Sequence, residues 1–185
     1  RFAQARAVGF TAVEAGFVPA DPLFPYEYDL DAVAAELQRL GLRQVLFNVP
    51  LGDRTKGDRG IAAHPARREE FREGVARALD AARRLNCRQL NCLVGLRDEA
   101  VPYQEQWACL VDNLRMAARA LEAAGLTLTV EPLNPLDLPG FFLTRSADAV
   151  RLLQEVGAPN LRLQYDVYHM QRAEGNIIAT LRALI

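Results

Sequence analysis

One local pattern recurs along the chain and restricts its fold more than any other feature: an amphipathic helix, a stop, then a short strand. Val33-Ala-Ala-Glu-Leu-Gln-Arg-Leu-Gly41 leads to Gln44-Val-Leu-Phe-Asn48. Residues 75–86 lead to Gln89-Leu-Asn-Cys-Leu-Val-Gly95, residues 114–125 to 126–131, and residues 147–157 to 161–166. An earlier copy runs from 2–9 to 11–14. Each helical stretch is apolar at 3.6-residue spacing and stops on Gly or Asn, residues that tolerate a left-handed C-terminal position. Asp29 and Ser146 read as N-caps. Strands alternating with helices predict βα units around a parallel sheet in one domain over 1–185. The wide connections (50–65, 96–102, 132–144) follow strands, whereas the returns to the next strand are tight. Such asymmetry is expected when the carboxyl ends of the strands carry the function.

Composition removes several function classes. The chain has 185 residues, 50% of them hydrophobic, enough for one sizeable core. A formal net charge of −1 leaves no electrostatic footprint for nucleic acid or an anionic membrane. No apolar run approaches the roughly 18 residues needed to cross a bilayer, and no secretory signal is expected. Cys87, Cys92 and Cys109 form no C-x-x-C pair, so they read as buried structural thiols in a reducing, cytoplasmic setting.

The chemistry is written at two strand ends. Leu126-Thr-Leu-Thr-Val-Glu131 and Leu161-Arg-Leu-Gln-Tyr-Asp166 each finish on a carboxylate. Because side chains alternate faces along a strand, Leu128 and Val130 should pack under helices while Thr127, Thr129 and Glu131 face the interior. By the same parity Arg162, Gln164 and Asp166 face inward, and Asn48, Asn91 and Glu14 are placed to join them. An acid at a strand end is also a common helix cap; two on adjacent strands, both on the polar face, argue for a site. Neighbouring strands lie about 4.8 Å apart, so one Mg²⁺ or Mn²⁺ can bridge the pair. Such an ion polarises an α-hydroxycarbonyl substrate and stabilises an enediolate, while a carboxylate moves a proton between the two carbons. His169, three residues past Asp166, is placed to contact a substrate oxygen or complete the metal site; His64 reads as structural. The loop Gly52-Asp-Arg-Thr-Lys-Gly-Asp-Arg-Gly60 reads as a mobile lid whose Arg54 or Arg59 meets a substrate carboxylate.

Val130-Glu-Pro-Leu-Asn134, Pro139-Gly-Phe-Phe-Leu143, Pro159-Asn-Leu-Arg-Leu-Gln-Tyr-Asp-Val-Tyr-His-Met-Gln171 and Glu174-Gly175, with Val45-Leu-Phe-Asn-Val-Pro50 and Asp58-Arg-Gly-Ile-Ala62, resemble the hydroxypyruvate isomerase family of the xylose-isomerase-like barrel superfamily. The resemblance runs over essentially the whole chain. It implies a TIM (β/α)8-type barrel and reversible isomerisation of hydroxypyruvate and tartronate semialdehyde, or of a related 2-oxo sugar acid. It also implies a divalent metal and a glutamate pair for proton transfer. Matched by position, Glu131 is the first catalytic and metal-binding glutamate, Asp166 a metal-binding aspartate and His169 a substrate-contacting histidine; Asn48 and Arg59 are further substrate-binding candidates. Two departures stand out. Five strands are counted where the family has eight, so an incomplete barrel is expected, lacking the first strand, the last strands, the remaining metal ligand and the second glutamate. Residues 15–22 read as an insertion. Competing readings are a sugar 3-epimerase or inosose dehydratase-like enzyme on the same scaffold, or a non-catalytic truncated barrel. An assembly of identical chains is compatible with each. A DNA-repair endonuclease of the superfamily is disfavoured by two histidines where a multi-zinc site needs several.

Overall fold

A computed structural model describes residues 1–15 and 25–184. The sheet is parallel, with its five strands in sequential order: β1 (Ala12–Ala15), β2 (Arg43–Asn48), β3 (Gln89–Cys92), β4 (Thr127–Val130) and β5 (Leu161–Leu163). Helices α1 (Phe2–Ala7), α2 (Leu30–Leu40), α3 (Arg68–Arg84), α4 (Tyr103–Glu122), α5 (Ser146–Val156), α6 (Val167–Ala173) and α7 (Ile177–Leu184) alternate with the strands. The expected βα repeat is therefore present. Most of the segment read as an insertion, 16–22, lies outside the described residues.

The stops behave as their chemistry requires. Gly41 and Gly157 close α2 and α5 in left-handed geometry (φ 63° and 67°), and Asn86 takes the same region after α3 (φ 48°). Asp29 caps α2, its Oδ1 accepting from the backbone N–H of Asp31 and Ala32. Ser146 is not a cap. It is the first residue of α5, and its N–H and hydroxyl both donate to the Glu174 carboxylate (2.6 and 2.7 Å). An acid distant in sequence thus serves the α5 N-terminus, which local spacing cannot reveal.

The core lies between the outer face of the sheet and helices α2 to α5. Phe47, Leu90, Leu128, Val130 and Leu161 meet Phe71, Leu110, Leu114, Leu121 and Leu152, all buried. Burying one such side chain contributes about 1.5–3 kcal/mol, so this layer carries most of the stability. All three cysteines are free and buried among it, and burial pushes the Cys92 thiol up to about 12, which keeps it protonated and inert. Among the described residues no helix is long and apolar enough to cross a membrane.

Candidate active site

Register lines up the polar positions. Asn48 pairs with Asn91, Asn91 with Thr129 and Thr129 with Arg162 across four strands, so the next inward positions, Glu131 and Gln164, also lie side by side. Arg162, expected on the inward face, is instead exposed, two residues before the cavity-lining Gln164, whereas Gln164 turns inward as the alternation predicts. A cavity of about 310 Å³ opens at these carboxyl ends, lined by Glu14, Asn48, Arg59, Asn91, Glu131, Gln164, Asp166 and His169 with Leu133 and Phe141.

Glu131 is nearly buried and is held from two sides. Asn91 Nδ2 donates to its Oε2 at 2.8 Å and Gln164 Nε2 at 3.1 Å. The second amide hydrogen of Asn91 goes to Asn48 Oδ1 (3.1 Å). Thr129 Oγ1 sits 3.2 Å from Asn91 Oδ1 and 3.1 Å from Gln164 Oε1, so its single hydrogen serves one amide oxygen at a time, and both amide nitrogens face Glu131. Burial raises the Glu131 carboxyl to about 7; the amide donors oppose this, while the charges of Asp166 and Glu14 add to it. A carboxylate that titrates there both takes and returns protons near neutrality.

Asp166 is a helix cap and also faces the candidate site. Its Oδ1 caps α6, accepting from the N–H of Tyr168 (2.7 Å) and His169 (3.3 Å), and the side chain also lines the cavity. The cap fixes where the acid points. One donor atom each from Glu131, Asp166 and His169 lie within 4.8 Å of one another. Two hard carboxylate oxygens that close, in a pocket where they repel each other, suit a divalent cation such as Mg²⁺ or Mn²⁺.

The glycine-rich loop is braced at Asp58 and Gly60. Asp58 accepts from both terminal guanidinium nitrogens of Arg67 (2.8 and 2.7 Å) and from the Asp53 N–H (2.6 Å); the hydrogen bonds from Arg67 hold its carboxyl below the usual range. Gly60 (φ 119°) runs so near β3 that a Cβ would strike the Leu93 carbonyl oxygen, and one on Gly95 would strike that of Gly60. This contact sets Arg59 into the cavity. Arg54 lies in a short 3₁₀ turn and His64 precedes another; neither lines the cavity. Of the residues singled out from sequence, Glu131, Asp166, His169, Asn48 and Arg59 meet here with Asn91 and Glu14. Sequence reasoning gave Gln164 a direction but no task, and it gave Asn134, the residue beside His169, neither.

Comparison with known proteins gives a consistent result. The model of the family described as xylose isomerase-like TIM barrel matches residues 2–184. Hydroxypyruvate isomerase of Escherichia coli (strain K12) is 43% identical over 181 residues, covering 98% of this chain and 67% of that protein. 2-Oxo-tetronate isomerase of Cupriavidus necator is 40% identical over 182 residues, with coverage of 98% and 67%. A crystal structure described as AP endonuclease, family 2, from Brucella melitensis superposes with TM-score 0.92 at 38% identity, over 100% of this chain and 68% of that one. The chain thus spans about two thirds of the length of these relatives.

Proposed function

The chain belongs to the xylose isomerase-like TIM barrel family, and on that premise we propose that the protein carrying it is an isomerase of small 2-oxo acids, interconverting hydroxypyruvate and tartronate semialdehyde or the two forms of a 2-oxo-tetronate. The names of the relatives support this reading. The observation that carries it is the Glu131 carboxylate, fixed on one oxygen by Asn91 and Gln164 and set beside Asp166 and His169.

Glu131 and Asp166 would hold Mg²⁺ or Mn²⁺, which when bound polarises the substrate carbonyl and its neighbouring hydroxyl. The chain's own groups do the rest. Arg59 pairs with the substrate carboxylate and Asn48 hydrogen-bonds a hydroxyl, which orients the acid. Glu131 takes a proton from the hydroxyl-bearing carbon next to the carbonyl, leaving an enediolate, and the former carbonyl carbon is then reprotonated as the hydroxyl proton passes between the oxygens. His169 faces the oxygen on which charge develops. Leu133 and Phe141 close one wall and exclude water from the reactive intermediate.

The test is turnover by the full-length protein after chelation and after addition of Mg²⁺ or Mn²⁺. The substrates are hydroxypyruvate, a 2-oxo-tetronate, a ketohexose and an inosose. Metal-restored isomerisation of either oxo acid is expected. Activity on only the ketohexose or the inosose overturns the substrate class, and undiminished turnover after chelation overturns the metal.

A further inference from the structure

Of the three residues whose donor atoms converge in the cavity, His169 has one ring nitrogen already engaged by the protein. Asn134 is fully buried where the chain leaves β4. Its backbone nitrogen lies 3.3 Å from His169 Nδ1 and its side-chain Nδ2 lies 2.9 Å from the same atom. A backbone N–H can only donate, so Nδ1 accepts, and the proton of the neutral ring then sits on Nε2. The orientation of the Asn134 amide is fixed by the same logic. The Asp137 N–H donates to Oδ1 at 2.9 Å, which identifies that atom as the oxygen, and Nδ2 also reaches Asp137 Oδ2 at 3.2 Å. Asp137 is in turn gripped by Arg172 (2.7 and 2.8 Å) and by the Tyr168 hydroxyl, both from α6, the helix that carries His169. The loop after β4 and the helix after β5 are therefore locked together around one imidazole.

We propose that Asn134, braced by Asp137, is a positioning residue that holds His169 in the Nε2–H tautomer, so that the ring donates a hydrogen bond to a substrate oxygen instead of serving as a third metal ligand. A metal ligand must present a bare nitrogen, and here the bare nitrogen is Nδ1, already occupied by Asn134. The purpose of the donor rests on the isomerase reading above; the position of the proton does not. An acceptor is what the substrate supplies, since its carbonyl oxygen gains negative charge as the enediolate forms.

Nitrogen-15 labelled histidine in the full-length protein separates the two questions. Long-range proton–nitrogen correlation, with His169 identified by comparison with His169→Gln, should show Nε2 protonated and Nδ1 bare, unchanged at saturating Mg²⁺. Asn134→Asp replaces the donor with an acceptor. Only the longer backbone contact (3.3 Å) then still favours a bare Nδ1, so a measurable fraction of the proton should move to Nδ1 and kcat should fall about 100-fold while KM stays within about threefold. If that buried charge prevents folding, Asp137→Asn at the partly exposed end of the chain of contacts should raise the Nδ1–H fraction and lower kcat about 10-fold. A bare Nε2 in the unmodified protein, loss of its proton on adding Mg²⁺, or an unmoved proton in the folded variant overturns the proposal. Protonated Nε2 in a protein inactive on every oxo acid would leave it standing and remove the isomerase reading instead.

Discussion

The two faces of β4 differ in almost every respect. Leu128 and Val130 point outward into a fully buried layer of aliphatic and aromatic side chains. Thr129 and Glu131 point inward to a file of amides and carboxylates in which each oriented group depends on its neighbour. The outer face gains stability by removing apolar surface from water. The inner face holds a carboxyl group in an environment that disfavours its charge. One strand therefore carries the core on one side and the candidate site on the other, and substitutions one face apart should separate the two.

Glu131→Gln should give the largest effect. The amide keeps the shape, and its oxygen can still accept from Asn91 and Gln164, but it cannot take a proton. Turnover of the full-length protein should fall by at least about 1,000-fold, with the melting temperature unchanged or higher. Steady-state kinetics and a melting curve on the same preparation check both halves. Normal turnover would remove Glu131 from the mechanism. Leu128→Ala, three residues earlier on the opposite face, should do the reverse. It should cost about 2–5 kcal/mol of stability, read by denaturant unfolding, with kcat per folded molecule nearly unchanged. If it lowers kcat as Glu131→Gln does, the division between the faces fails.

Sequence reasoning reached the inner face because alternation is a geometric rule: once Leu126-Thr-Leu-Thr-Val-Glu131 is read as a strand, the direction of Glu131 follows. The same holds for Gln164 and Asp166. Glycine and asparagine stops were legible because few other residues tolerate left-handed backbone. What alternation does not reach stayed hidden. Residues 132–144 have no period, so nothing in Pro132-Leu-Asn134 reveals that Asn134 meets a ring 35 residues later. The glycine- and charge-rich loop gives no local sign of the Asp58–Arg67 pair or of the contact of Gly60 with β3, which are tertiary facts. Ser146 looked like a cap for the same reason, since the Glu174 that serves it lies 28 residues away.

A smaller effect tests the cost borne by the inner face directly. The Glu131 carboxyl sits at about 7 in the folded protein, against 4.5 for the ordinary group, so the folded state favours its protonated form. The resulting stability is fully present below about pH 4.5 and is lost as pH rises through about 7. A shift of that size corresponds to roughly 3 kcal/mol at most, and less where the cavity admits water. Metal-free protein should accordingly lose stability between pH 5 and pH 8.5 relative to Glu131→Gln, whose profile lacks this contribution. Added Mn²⁺ should restore stability at the high-pH end, where both carboxylates are charged and repel each other. Parallel profiles for the two proteins, with no response to Mn²⁺, would mean that the inner face bears no such cost and that its acids do not share an ion.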